Sequence, residues 1–329
     1  MKFATLKDGT RDGQLVFVSR DLKFMQPIPE FAKTMLELLE QWDQIEDDLK
    51  HEYEIFDKSK TLRVFEFLPQ ETMAPLPRCF QFVDGSAFMN HGRIMKEAYK
   101  IQNEEPEGIP ILSQRQSDDF RSATADYEFP SAKDLCDFEA EFAVAVSDIP
   151  MGSSKEKVKS SIKLVMILND VSMRGILTRE MRMGFGFIQA KTATIFAPVA
   201  VTPDELGSAW KDDKVGLDIC VKRNDEWFGQ PNGSEMDYSF SDLISHLTYN
   251  RHIKAGTIIG SGTVSNQDAH TTGSACLAEK IALEFIQHGA AKSEFIQFGE
   301  TVEINVVDQN KKSVFGTIKT KFIPTRLRT

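Results

Sequence analysis

The chain has 329 residues, of which 41% are hydrophobic and 27% charged, and its formal charge is −10. That is the balance of a globular protein with room for one large or two ordinary domains. The negative sign disfavours nonspecific nucleic-acid binding, which needs clustered basic residues to neutralise phosphates. No run reaches the roughly 18–20 apolar residues of a membrane helix. Residues 1–20 lack a charged start followed by an apolar block, so no secretory signal is expected. Cys79, Cys136, Cys220 and Cys276 are too dispersed for a zinc ribbon or a redox pair, and they read as free thiols in a reducing cytoplasm.

In chain order, Lys2–Leu6 and 13–19 read as strands around the turn-rich Asp8-Gly9-Thr10-Arg11-Asp12-Gly13. Residues 28–48 follow with helical period, Phe31, Met35, Leu38 and Leu39 on one face and Pro27 and Pro29 just ahead. Residues 64–68 are strand-like. The segment 69–77 carries Pro69, Pro75 and Pro77 and reads as a connector. It divides a small α+β N-terminal domain, 1–73, from a larger one, 79–329. In the second part 90–100 is a short helix, and 102–130 is polar and turn-rich, a candidate lid. Strands are expected over 138–146, 197–201, 215–221, 282–286, 301–307 and 313–321. Helices are expected over 160–168, 176–183 and 238–247. Many strands with few intervening helices indicate an α+β fold, not a doubly wound sheet.

The chemistry concentrates in carboxylates. Glu139 and Glu141 lie two apart in a strand-like run and so share a face. The neighbours are apolar, and two like charges in a low dielectric call for a cation between them. A solvated sheet face with two exposed glutamates is the bland alternative. Asp170 ends the apolar run 164–168 and precedes Arg174 by four residues, although an N-cap explains it equally well. Carboxylates from separate segments without His or Cys pairs select a hard cation: Mg²⁺ first, with Ca²⁺ or Mn²⁺ as alternatives. His91 stands seven residues after Asp84. No Gly-x-Ser-x-Gly elbow or cysteine nucleophile signature occurs, so covalent acyl-enzyme chemistry has no support.

Asp84-x₆-His91, Glu139-x-Glu141, Asn169-Asp170-Val171-Ser172-x-Arg174, Gln189-x-Lys191 with Pro198 beyond, and Ser261-Gly262-Thr263-Val264-Ser265 follow one another in that order. In order and spacing they resemble the fumarylacetoacetate hydrolase family, in its bacterial form. The resemblance implies a mixed β-roll catalytic domain, dimeric, preceded by a small N-terminal domain. It implies Asp84, Glu139, Glu141 and Asp170 as metal-binding carboxylates, with Lys191 and Thr194 beside the ion. His91 would be the catalytic histidine oriented by Glu279. Lys191 and Arg174 would complete the catalytic set, and Lys100 and Thr263 would bind substrate. Where the animal fumarylacetoacetases carry two tyrosines, a glutamine and an arginine, this chain has Ser86, Met181, Leu177 and Lys100. Lysine grips a carboxylate as a point charge, without arginine's two-pronged fork.

The expected activity is metal-dependent hydrolysis of a carbon–carbon bond in a β-diketo acid. The leading substrate is 4-fumarylacetoacetate, giving fumarate and acetoacetate in tyrosine and phenylalanine catabolism. An acylpyruvate hydrolase and a keto-acid decarboxylase or isomerase are the alternatives within the family. A non-catalytic metal- or ligand-binding protein is the alternative outside it. The expected partners are a small keto acid and a second copy of the chain, with no nucleic acid and no membrane.

Overall fold

The structure, a computed structural model, describes residues 1–59, 64–100 and 108–326. Its spine is an eleven-stranded mixed sheet. The chain enters it through β1 (Lys2–Leu6), β2 (Gln14–Val18), β3 (Phe24–Pro27) and β4 (Phe65–Glu66). It then supplies β5 (Phe82–Gly85) and β6 (Leu112–Arg115). The strands Ala140–Val146 and Ile162–Asn169 run antiparallel through the middle, with Ile258–Gly260 inserted between Ala140–Val146 and β5. β1 joins this sheet through Ala200–Val201, so the N-terminal segment extends the same sheet.

Alternation along the central strands feeds two cores. Phe142, Val144, Val146, Val165 and Ile167 point to one; Ala143, Ala145, Leu164, Met166 and Leu168 point to the other. The helix Met35–Ser59 covers the second face with Leu38, Leu39, Trp42, Leu49, Tyr53 and Phe56. A five-stranded sheet built on Ile219–Arg223, Thr301–Val306 and Ile318–Pro324 packs on the first. Helix, sheet and sheet thus form an α+β layered roll, as the sequence indicates.

Four local expectations are corrected. Residues 160–168 are helical only to Ser161, where the helix Lys155–Ser161 ends: Ile162–Asn169 is a strand buried along its whole length, and an unbroken apolar run cannot be told from a buried helix by period alone. Residues 282–286 are not a strand. They lie in the helix Leu277–His288, which buries Leu277, Ala278, Ile281 and Ala282 on one stripe and stops at Gly289 with φ 73°. The first helix starts at Met35, not at 28, because Thr34 accepts the N–H of Glu37 at 3.2 Å, and it runs on to Ser59. The 102–130 stretch is not a loop throughout, since Leu112–Arg115 is bonded to β5. Its 102–107 portion lies outside the described residues.

Candidate metal centre and catalytic dyad

The site forms where neighbouring strands end together. Asp84 sits near the end of β5, in register with Gly260, and Gly260 pairs on its other side with Ala143. Glu141 faces Leu168 across the central pair. Asp170 follows one residue past the strand's end and donates its N–H to the Glu139 carbonyl at 3.0 Å. Asp84, Glu141 and Asp170, all buried, therefore bring ligand atoms within 4.8 Å of one another. Two glycines make room. A Cβ at Gly260 would stand 2.4 Å from Asp84 Oδ1. Gly262, at φ +77°, presses within 2.2 Å of the Gly85 carbonyl, measured from where a Cβ would be; from there its N–H donates to Asp84 Oδ1 at 3.0 Å.

Glu139 lies outside that triad, with both carboxylate oxygens engaged. It accepts from Lys191 Nζ at 2.7 Å, Ser172 Oγ at 2.7 Å and Thr263 Oγ1 at 2.8 Å, and Arg174 Nη2 lies 2.7 Å away. Burial pushes its carboxyl up, but Lys191 and Arg174 outweigh that and hold it well below the usual range. Lys191 is the converse: burial lowers it, Asp170 and Glu139 raise it further, and it ends above its ordinary value. Its contacts place it as a cation against Glu139. Its Nζ also bonds Asp170 Oδ2 at 2.8 Å, and Thr194 Oγ1 reaches Asp170 Oδ1 at 3.3 Å. Arg174 is anchored by Asp137, which accepts from its Nε at 2.9 Å.

Arg115, which sequence reasoning left inside a polar stretch, is buried in this cluster. It donates to Asp84 Oδ2 at 2.6 Å and to Asp170 Oδ2 at 2.8 Å. Five carboxylates (Asp84, Asp137, Glu139, Glu141, Asp170) thus meet three cations (Arg115, Arg174, Lys191), so the acidic side chains outnumber the basic ones by two. Glu141 carries the imbalance: neither of its oxygens has a hydrogen-bond partner among the described residues. Burial, then Asp84, Asp170 and Glu139, drive its pKa well above the ordinary value. An orphaned carboxyl group, an excess of acidic over basic side chains and an all-oxygen donor set fit a hard dication.

His91 lies on the helix Met89–Tyr99, and its Nδ1 is 2.8 Å from Glu279 Oε2. Glu279 is buried in the first turn of Leu277–His288. Ile94 and Ala282, with Met95, Ala98, Leu283 and Ile286, pack these two helices together, which aligns the pair. A carboxylate at Nδ1 assigns the imidazole proton there and leaves Nε2 as the basic nitrogen.

Asp84, His91, Arg115, Glu139, Arg174, Lys191 and Thr263 line one cavity of about 320 Å³. Ser86, Leu177 and Met181 line it as well. A larger cavity of about 520 Å³, beside Arg121, Tyr127 and Thr192, holds neither the triad nor the dyad. Lys100 is not brought to the site. It caps its helix in the left-handed region at φ 53° and is exposed, whereas Arg93 and Lys96 of the same helix line the cavity. Arg93 and Lys96 were legible as basic residues two and five places after His91; Arg115 had no local signal.

Residues 81–323 match the family model described as fumarylacetoacetate (FAA) hydrolase C-terminal, and residues 1–78 the one described as fumarylacetoacetase N-terminal domain 2. No curated protein sequence matches the chain significantly. Among solved structures, the maleylpyruvate hydrolase of Sphingobium sp. SYK-6, in complex with manganese(II) and pyruvate, is 13% identical at a TM-score of 0.65, covering 99% of this chain and 100% of its own. The fumarylpyruvate hydrolase of Pseudomonas aeruginosa, with Mn²⁺ and pyruvate, is 14% identical at a TM-score of 0.53, covering 77% of this chain and 92% of its own. A Mycobacterium abscessus protein described as a probable 2-hydroxyhepta-2,4-diene-1,7-dioate isomerase is 15% identical at 0.64, covering 99% and 100%. At such identities the likeness carries the fold alone. Among the described residues no helix is long and apolar enough to cross a membrane.

Proposed function

The chain belongs to the fumarylacetoacetate hydrolase family, and from that premise we propose that it hydrolyses a carbon–carbon bond in a β-diketo acid. The observation that carries this reading is that His91, bonded behind to buried Glu279, and Asp84, a member of the buried triad with Glu141 and Asp170, line the same cavity. A binding protein needs no base held against a buried carboxylate; hydrolysis does. The dication, Mg²⁺ or Mn²⁺, would supply Lewis-acid polarisation of the substrate's keto oxygens. His91 Nε2 takes a proton from water, whose oxygen adds to the carbonyl carbon beside the bond to be cut. Glu279 keeps the imidazole aimed and stabilises its charged form; such positioned proton transfer contributes about 10²–10⁴-fold. Lys191, charged and fixed, faces the negative oxygen of the adduct. As the carbon–carbon bond breaks, its electron pair passes to the departing enolate, whose carbon takes the proton from His91. Arg93 and Lys96 are the basic groups suited to a substrate carboxylate.

Among β-diketo acids, 4-fumarylacetoacetate remains the leading substrate on the motif order. Acylpyruvates are the second reading, supported by Ser86, Leu177 and Met181 on the cavity wall and by the names of two structural relatives, a maleylpyruvate hydrolase and a fumarylpyruvate hydrolase. A homodimer is supported by the exposed apolar side chains Met181, Met183, Phe185 and Ile188, close together in sequence, and light scattering of the purified chain measures it. A cytoplasmic location is supported by four free cysteines. The deciding assay offers fumarylacetoacetate, acylpyruvates and oxaloacetate with Mg²⁺, with Mn²⁺ and with chelator, to the native enzyme and to His91→Ala. Turnover of a diketo acid that needs the metal, and falls about 10²-fold or more in His91→Ala, is expected. No turnover of any diketo acid, or full activity in His91→Ala, would overturn the reading.

A further inference from the structure

Two of the three triad carboxylates are already spoken for. Arg115 bonds Asp84 Oδ2 at 2.6 Å and Asp170 Oδ2 at 2.8 Å. The other oxygens are engaged as well: Gly262 N–H holds Asp84 Oδ1 at 3.0 Å, and Thr194 holds Asp170 Oδ1 at 3.3 Å. Lys191 shares Asp170 Oδ2. Only Glu141 faces the space between them without a hydrogen bond among the described residues. The guanidinium itself is firmly held. It is buried, its Nη1 donates to Ser113 Oγ at 2.5 Å, and the Phe187 ring covers it with a centroid 5.5 Å away. Arg115 therefore occupies two carboxylates that an incoming dication would have to share.

We propose that Arg115 is an internal counter-ion of the metal centre: it holds Asp84 and Asp170 together before the ion arrives, and it sets the dication affinity by competing for them. The proposal rests on the reading of Asp84, Glu141 and Asp170 as the metal triad. A single positive charge beside a double one in a dry, low-dielectric site repels it strongly. Each aspartate also has few lone pairs left to give once the fork is seated. The same ion pairs relieve carboxylate repulsion when no metal is bound, so removing Arg115 must act with opposite sign on metal affinity and on metal-free stability.

The test is Mn²⁺ titration of the full chain by electron paramagnetic resonance of the free ion, alongside thermal unfolding in chelator, for the native protein, Arg115→Gln and Arg115→Lys. Arg115→Gln is expected to bind Mn²⁺ about tenfold or more tightly and to unfold at a lower temperature without metal. Lysine keeps the charge but lacks the planar two-pronged fork that seats on both aspartates. Arg115→Lys, the safer variant to fold, should therefore shift affinity in the same direction by a smaller factor. Affinity unchanged or weaker in the variants, with the native protein binding, overturns the proposal and leaves the metal reading intact. Absence of Mn²⁺ binding in all three overturns the metal reading, and this proposal with it.

Discussion

Glu139 and Glu141 stand two residues apart and are both buried, yet one is surrounded by two cations and two hydroxyls and the other has no hydrogen-bond partner among the described residues. Their titrations consequently move in opposite directions. Glu139, depressed, contributes stability that is present above its unfolded value and lost only as pH falls through its lower folded value. Glu141, raised, contributes stability that is present below its unfolded value and lost as pH rises through its higher folded value. The metal-free protein should therefore unfold at progressively lower temperature as pH rises from the ordinary glutamate range through the raised titration of Glu141. Glu141→Gln should flatten that slope and raise metal-free stability at the upper end by about 1–3 kcal/mol, while weakening Mn²⁺ binding sharply. Thermal denaturation across pH with chelator decides this; an unchanged slope in the variant would mean that Glu141 is not the proton holder. The spacing Glu-x-Glu made the pair legible as one feature. It carried no sign that Lys191 and Arg174, arriving from 52 and 35 residues downstream of Glu139, would claim only the first. Arg115 was illegible for a related reason: a single basic residue in a polar stretch becomes a site residue only through register with Asp84 and its neighbours on β5.

At the level of elements, what the sequence conveys depends on how many faces an element buries. The helix Phe240–Leu247 announces itself by a capping box at Ser239 and Asp242, and Lys2–Leu6 by its turn-bounded run. Ile162–Asn169 buries both faces and so loses the alternation that would have identified it. Thr34-Met35-Leu36-Glu37 did contain a start signal for the first helix, which the prolines upstream masked. The strand Ile258–Gly260 shows how an element can be shaped by the site it serves. Lying between Ala140–Val146 and β5, it has no freedom to retreat, so Gly260→Ala must move the Asp84 carboxylate instead. Such overpacking costs about 1–3 kcal/mol, and the variant should also bind Mn²⁺ more weakly, since a triad ligand is displaced. Gly92, on the helix Met89–Tyr99, has open space where a Cβ would stand, with no neighbour within 4 Å among the described residues, and Gly92→Ala should gain about 0.5–1 kcal/mol. Urea denaturation of both variants checks the pair of signs; destabilisation of equal size in each would show that the close approach at Gly260 is not what matters.

For the molecule as a whole, the family boundary at residues 78–81 falls inside a structure whose sheet does not stop there. β1 pairs with Ala200–Val201, and Lys2 Nζ donates to the Val314 carbonyl at 2.9 Å from a buried position. The helix Met35–Ser59, with Phe3 and Phe17, roofs the face formed by Ala143, Ala145, Leu164, Met166, Leu168 and Phe196. That face includes the central strands whose ends hold Glu141 and lead into Asp170. Uncovering a large apolar side chain costs about 1.5–3 kcal/mol. Exposing Leu164, Met166, Leu168 and Phe196 together therefore approaches the roughly 5–15 kcal/mol that stabilises a typical domain, and it leaves a bare strand edge that invites association. Residues 79–329 expressed alone should consequently aggregate or unfold without a cooperative transition, even though every residue of the triad and the dyad is present. Supplying 1–78 as a separate chain during refolding should restore soluble, cooperatively unfolding material, because the missing strand and roof are regained by association. Light scattering and thermal denaturation of the fragment, alone and with its partner segment, make the comparison. A fragment that stays monomeric and melts cooperatively by itself would show that the central sheet sustains the site without the N-terminal roof.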